Sequence, residues 1–236
     1  MNDPSDEASI GILVLAAGGA LRMGGPKQLL PYRGRSLLRH AAEVAFESPC
    51  RPVCVVLGGY ADRLMAETRD LSVLLVKNAN WEAGMGSSIR AGLEAMLGVA
   101  ADIRGVVITL CDQPHVTTDT VVRLLEAHRT SHQPVVASRY EGVVGVPALF
   151  SRDLFPQLLS SSESGGAKRL ILENLPQVEI LDTPEAVLDV DTPEDYASLM
   201  AQEGQTAIPP IFRAHDPDGL TELFTGRDAG DRGVHE

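Results

Sequence analysis

The chain has 236 residues, 44% of them hydrophobic and only 4% aromatic, which is enough apolar material for one large core of Val, Leu, Ile and Ala. A formal net charge of -12 sets the overall field against nucleic acid and anionic membranes, so any phosphorylated ligand must be recognised locally. No apolar run approaches the roughly 18 residues needed to cross a bilayer. Three cysteines, with no CxxC pair and no leader-like N-terminus, point to the reducing cytoplasm.

Residues 1–9 are polar and acidic, and the aliphatic run Ile10 to Leu15 then reads as a buried strand that ends on Ala-Ala-Gly-Gly. Ser36 precedes apolar residues at helical spacing and predicts a capped helix. Val53 to Leu57 is a second strand closed by Gly58-Gly59, followed by a short helix around Asp62 to Glu67 and a strand over Val73 to Val76. Ser87 to Leu97 places Ile89, Gly92, Leu93, Met96 and Leu97 on one helical face, and Val106 to Leu110 reads as a central strand that delivers Cys111-Asp112-Gln113-Pro114.

Further on, a helix is predicted over Thr118 to His128 and a strand over Val135 to Ser138. Gly145 and Pro147 make Val143 to Phe150 read as an edge strand. Helices around Arg152 to Leu159 and Ala167 to Asn174, a strand near Val178 to Leu181, a short Val187 to Val190 segment and a helix opening at Pro193 under a Thr192 cap complete the pattern. This alternation predicts a three-layer α/β/α fold with a mostly parallel central sheet. The expected organisation is a core over 10–201, flanked by a flexible N-terminus at 1–9 and a flexible tail at 202–236.

Ligands of open α/β sheets gather at the carboxyl ends of strands. There the first strand delivers Ala16-Ala17-Gly18-Gly19-Ala20-Leu21-Arg22-Met23-Gly24-Gly25-Pro26-Lys27. The glycines let backbone N–H groups approach anionic oxygens, and Arg22 and Lys27 add charge at two points, as a polyphosphate site requires. The loop matches neither G-x-G-x-x-G nor G-x-x-x-x-G-K-[ST], so the dinucleotide and P-loop fingerprints are absent.

The pattern Leu-Ala-Ala-Gly-x-x-x-Arg-Met-Gly-x-Pro-Lys-x-Leu-Leu-Pro resembles the molybdenum-cofactor nucleotidyltransferase family, in its molybdopterin cytidylyltransferase-like branch. Over about residues 10–200 the likeness also rests on Gly84-Met85-Gly86-Ser87-Ser88-Ile89, Cys111-Asp112-Gln113-Pro114, Gly145-Val146-Pro147-Ala148-Leu149-Phe150 and Asp189-Val190-Asp191-Thr192-Pro193-Glu194-Asp195. The resemblance implies the Rossmann-like nucleotidyltransferase fold and a magnesium-dependent transfer of CMP from CTP to molybdopterin or its molybdenum form. It implies that Ala16, Ala17, Gly18 and Gly19 line the nucleotide, that Arg22 contacts the triphosphate, and that Lys27 lies near the α-phosphate. Asp112 would hold Mg²⁺, with Asp191 and Asp189 as further ligands, and Ser87 and Ser88 would meet the nucleotide at a helix start.

Several alternatives stand beside this reading. Ala17 favours CTP over GTP at one position only. The acceptor could be a sugar phosphate or methylerythritol phosphate, because Ser164 replaces the Asp of the family's G-D-x-G-A segment and Ala20 replaces a small polar residue. A non-catalytic chaperone that delivers cofactor to a molybdoenzyme, docking through Ile211-Phe212, is the third. Ser87 and Ser88 also suit simple N-capping, as do Asp189 and Asp191. His128 and His132 read as a surface helix rather than a metal pair, Cys111 as a buried thiol, and Glu43 and Glu47 as solvated charge.

Overall fold

In a computed structural model of the chain, residues 9–19, 23–160 and 165–204 are described. The centre is a seven-stranded sheet in the order β5-β4-β1-β6-β8-β7-β9, formed by β1 (Ile10–Ala16), β4 (Val53–Leu57), β5 (Leu74–Lys77), β6 (Gly105–Leu110), β7 (Val135–Tyr140), β8 (Val143–Ser151) and β9 (Val178–Asp182). A two-residue hairpin, β2 (Pro31–Tyr32) with β3 (Arg35–Ser36), stands apart. The helices are α1 (Leu37–Glu47), α2 (Ala61–Leu64), α3 (Met85–Val99), α4 (Thr118–Ser131), α5 (Phe155–Ser160), α6 (Gly166–Glu173) and α7 (Pro193–Gln202).

Alternation along the strands makes the layers. Leu13 and Leu15 of β1, Cys54 and Val56 of β4, and Val106 and Ile108 of β6 pack on one face with Ile89, Leu93 and Met96 of α3 and with α5 and α6. Their neighbours Ile12, Val14, Val55, Leu57 and Val107 face the other way, against Leu38, Ala42 and Ala45 of α1 and Val121 and Leu124 of α4. Both faces are covered, which is why these strands read as unbroken aliphatic runs. Gly92 brings α3 close to the sheet, since a Cβ there would lie 2.3 Å from Leu13 Cδ1 and 2.8 Å from Val56 Cγ2.

Strands β5, β4, β1 and β6 are parallel, while β8 runs antiparallel between β6 and β7. The predicted edge strand is therefore internal, and β9 takes the edge. Pro147 is accommodated because the β7–β8 register shifts between Ala137 and Ser138, so that Ala137 pairs with Ala148 and Ser138 with Gly145. The two skipped residues form an irregularity in which a missing N–H breaks no ladder bond. The Pro147 carbonyl instead accepts a bond from the buried Ser138 hydroxyl at 2.6 Å.

A third cluster lies at the carboxyl edge, where Met23, Leu30, Tyr32 and Leu37 pack against Val190, Tyr196, Leu199 and Met200. It fastens α7 over the segment that follows the glycine-rich loop. Helix α7 starts at a capping box in which Thr192 accepts from the Asp195 N–H and the Asp195 carboxylate accepts from the Thr192 N–H. At its other end Glu203 accepts bonds from Arg33 Nε at 2.9 Å and from the Tyr32 hydroxyl at 3.2 Å. Burial, and the nearby Glu203 charge against that of Arg33, push Tyr32 up to about 12. The tail from 205 onward, with Ile211 and Phe212, lies outside the described residues.

Candidate functional site

From β1 the sheet order runs to β4 and β5 on one side and to β6 on the other, so a crevice opens at the carboxyl ends of β1 and β6. The glycine-rich loop leaves β1 at this point. Its first turn is pinned from beneath by Gln28, whose Nε2 donates to the Ala16 and Gly18 carbonyls at 2.9 and 2.8 Å. Gln28 is buried and lies in the single turn Lys27–Leu29, so the residue that holds the loop's start neighbours the one that supplies its charge. Ala16 and Ala17 are buried, Gly18 is exposed and Gly19 half-buried. Ala20 and Arg22 lie outside the described residues.

Two other turns press on this loop. Gly58, just past β4, approaches so closely that a Cβ would stand 2.2 Å from the Ala17 carbonyl oxygen. The single tryptophan, Trp81, wedges against both loops, since a Cβ on Gly19 would lie 2.6 Å from its Cη2 and one on Gly59 2.8 Å from its Cζ2. The half-buried indole thus spans the turns after β1 and β4 and joins the core beneath α3.

Lys27 is the centre of the charge arrangement. Its ammonium donates to Asp112 Oδ2 at 2.5 Å and to Asp191 Oδ1 at 2.6 Å, with the lysine side chain 10% exposed, Asp112 17% and Asp191 47%. Asp112 arrives at the end of β6, and the Val190 N–H donates to the Asp112 carbonyl at 2.9 Å, which carries Asp191 into place. Burial works against the Lys27 ammonium, but the Asp112 charge and the hydrogen bonds to Asp112 and Asp191 prevail and hold it above its ordinary value. The capping expectation for Asp189 and Asp191 is corrected here: Thr192 and Asp195 cap α7, and Asp195 Oδ2 also accepts the Asp191 N–H.

Asp189 is exposed, yet desolvation of its carboxyl and then the charges of Asp112 and Asp191 push it up to about 6, against the opposing pull of Gln113 and Lys27. Among the described residues no three His, Cys, Asp or Glu side chains surround a common metal position. The donor set nonetheless suits a hard divalent cation completed by phosphate and water, because Asp112 Oδ1 is buried without a hydrogen-bond partner. A carboxylate oxygen left in that condition is costly unless something charged meets it.

Along the cleft, Ser87 and Ser88 sit in the first turn of α3, two and three residues past the helix start at Met85. Their capping role is also corrected. Gly84 is the cap, and the Ser87 hydroxyl turns back to the Gly84 and Asn80 carbonyls at 2.8 and 2.9 Å. Both serine oxygens accept from the buried Asn78 Nδ2, at 2.8 and 3.0 Å, while Asn78 Oδ1 accepts the Asn80 N–H. Asn78 organises this end of the cleft and has no motif; its signal was an Asn two residues before another Asn at the end of a strand, an Asx-turn pattern.

On the other side, Gly145 approaches Tyr140, whose hydroxyl donates to the Val146 carbonyl at 3.2 Å. A Cβ at Gly145 would lie 3.1 Å from that hydroxyl oxygen. Gln113 reaches the same wall, donating to the Val146 and Ala186 carbonyls at 3.4 and 3.1 Å. Ser164 lies outside the described residues. Away from the cleft, His128 bonds the Gln133 carbonyl and His132 is the left-handed C-cap of α4. Burial pushes the Cys111 thiol well up despite nearby Lys27. Glu43, read as solvated, is only 19% exposed and pairs with Arg35 and Arg39.

The sequence matches the MobA-like NTP transferase domain over residues 12–178. A nicotine blue oxidoreductase from Paenarthrobacter nicotinovorans is 34% identical over 211 residues, 85% of this chain and all of that protein. A molybdenum cofactor guanylyltransferase from Vibrio campbellii is 28% identical, covering 79% of this chain and 93% of the relative. A molybdenum cofactor cytidylyltransferase from Escherichia coli is 22% identical, covering 85% and 100%. The crystal structure of Rv0371c from Mycobacterium tuberculosis superposes with a TM-score of 0.72 at 32% identity, over 82% of this chain and 98% of that one. The manganese complex of Rv0371C superposes at 0.69 and 30%, over the same shares.

Proposed function

Because the chain belongs to the MobA-like NTP transferase domain family and is a nucleotidyltransferase of that type, we propose that it transfers CMP from CTP to a phosphorylated pterin, molybdopterin or its molybdenum form. The observation that carries the reading is the Lys27 ammonium held against Asp112 and Asp191 where β1 and β6 diverge. A triphosphate laid on the loop places its α-phosphorus beside that cluster.

In this reading an oxygen of the acceptor phosphate attacks the α-phosphorus, and the bond to the bridging oxygen breaks. Pyrophosphate leaves with the electron pair. No general base is needed, since the acceptor phosphate is already ionised near neutral pH. Lys27 and Arg22 stabilise negative charge on the α-phosphoryl oxygens and the departing pyrophosphate. Asp112 and Asp191, with Asp189 as a further ligand, would hold Mg²⁺, which would supply Lewis-acid polarisation of the phosphate oxygens. Ala16 to Gly19, Ser87 and Ser88 line the nucleoside, and the Gly145 to Phe150 segment lines the acceptor.

The test mixes protein, CTP, Mg²⁺ and molybdopterin and measures pyrophosphate. No release above a Lys27→Ala control overturns the assignment. The base is tested by thermal shift with CTP, GTP, ATP and UTP plus Mg²⁺, because preferential binding to the native state raises the apparent melting temperature. A shift with GTP alone reassigns the base. A panel of sugar phosphates and methylerythritol phosphate tests the acceptor.

The 34% identity to a nicotine blue oxidoreductase over the whole of that relative supports a second reading, in which the same cleft serves a redox reaction. Anaerobic bleaching of nicotine blue by a reduced pyridine nucleotide, dependent on the protein and absent without it, would establish that activity. Bleaching without any pyrophosphate release would replace the transferase reading.

A further inference from the structure

The Lys27 ammonium lies between two carboxylates that belong to separate strands and loops, at 2.5 Å from one and 2.6 Å from the other. These are the contacts of a cation filling a cation's place. We propose that Lys27 is an internal stand-in for the divalent metal: the lysine and the metal occupy the Asp112–Asp191 pair alternately, and the triphosphate is what draws the lysine away.

Three features support alternation. First, the ammonium already sits within hydrogen-bond distance of both carboxylates, on the side where Asp112 is only 17% exposed, so a second cation on the same two oxygens would meet strong repulsion at short range. Second, Asp112 Oδ1 remains buried and unpartnered while the lysine meets Oδ2, so the lysine leaves part of this carboxylate unmet. Third, the displacement needs no backbone change. Leu30 N–H donates to the Lys27 carbonyl and Gln28 holds the Ala16 and Gly18 carbonyls, so the backbone turn stays anchored while the four-methylene stem rotates. A triphosphate on the loop offers the ammonium a new anionic partner and brings further oxygens for the metal.

The consequence is ordered occupancy. Metal alone competes with a covalently tethered cation and binds weakly, whereas metal and triphosphate favour each other because each relieves the other's cost. This inference rests on the nucleotidyltransferase reading of the cleft, and its test separates the two.

Free Mn²⁺ is followed by electron paramagnetic resonance during titration into the folded protein, the Lys27→Met variant and the Lys27→Met/Asp112→Asn variant, each with and without inorganic triphosphate. The proposal expects Lys27→Met to bind Mn²⁺ about tenfold more tightly than the native protein when no triphosphate is present. It expects triphosphate to raise Mn²⁺ affinity more in the native protein than in the variant, and Asp112→Asn to abolish the gain. Equal or weaker Mn²⁺ binding by Lys27→Met overturns it, as does tighter binding that survives Asp112→Asn. Should Lys27→Met fold poorly, Lys27→Gln is titrated in its place, and its melting temperature is expected to rise more steeply with Mn²⁺ than that of the native protein. Pyrophosphate release by the native protein alongside unchanged Mn²⁺ binding in the variants sinks the alternation and leaves the transferase reading standing.

Discussion

On the side of the cleft formed by β5, β4, β1 and β6, side chains from distant segments hold one another: Lys27 is held by Asp112 and Asp191, Gln28 by the Ala16 and Gly18 carbonyls, and Asn78 by Ser87 and Ser88. On the β7–β8 side the wall is largely backbone, shaped by a register shift, the close approach of Gly145 and the Val146 and Pro147 carbonyls. A cluster of buried charges needs its oppositely charged side chains brought to one place by the fold. A wall that has only to fit a ligand's shape can be built from turns and bulges. The first side is thus an electrostatic frame anchored through its backbone, in which the Lys27 ammonium can change partners, and the second a contour that substitutions alter without disturbing the charges.

The largest effect is expected at Lys27. Lys27→Ala is expected to lower kcat for pyrophosphate release by about 10²–10³-fold, the scale seen when one preorganised donor to a developing anion is removed. Asp191→Asn is expected to cost less than Asp112→Asn, since Asp191 is 47% exposed and Asp112 17% and water screens the former more. Steady-state kinetics on both variants check the order; a larger loss at Asp191 would move the centre of the frame.

Smaller effects sharpen the contrast. Gly58→Ala puts a methyl 2.2 Å from the Ala17 carbonyl oxygen and is expected to destabilise by about 1–3 kcal/mol, read by denaturant unfolding. Gly145→Ala meets the Tyr140 hydroxyl at a milder 3.1 Å. It is expected to raise the acceptor KM several-fold while leaving the CTP-induced thermal shift unchanged. If both responses move together, the two sides are not separable.

A pH dependence also resides in the apolar core against the sheet. Burial raises Cys50 to about 11 and Cys54 to about 12 from an ordinary value of 9.0. Folding therefore favours the neutral thiols, and their contribution is complete below about pH 9 and lost as pH rises through the folded values. On the order of 2 kcal/mol per thiol is at stake by pH 11 to 12. Melting curves between pH 8 and 11 should fall less steeply for Cys54→Ala than for the native chain.

Much of the parallel half was legible in the sequence because its strands are continuous aliphatic runs that end on glycines, and Asp112 stands at the end of the most apolar of them. Strand β8 was misplaced at the edge because Gly145 and Pro147 weaken a ladder by any local rule; what rescues it, the shift opposite Ala137 and Ser138, belongs to its neighbour. Ser87, Ser88 and Asp191 were singled out, but their capping alternative failed because caps depend on where a helix starts to within a residue. Gln28 and Asn78 escaped notice since their bonds run to backbone and side chains that only folding brings near. Glu43 looked solvated because its partners Arg35 and Arg39 are ordinary surface residue types.

The indole of Trp81 has a consequence for how the chain can vary. Because it leaves no room for a Cβ on Gly19 or on Gly59, positions 19, 59 and 81 behave as one inherited unit rather than three independent sites. A side chain at either glycine is tolerable only if residue 81 shrinks first, and a smaller residue at 81 opens a void that a later side chain can fill. Substitutions at these positions should therefore be non-additive, and descendants of this chain should reach a reshaped loop here only by way of Trp81.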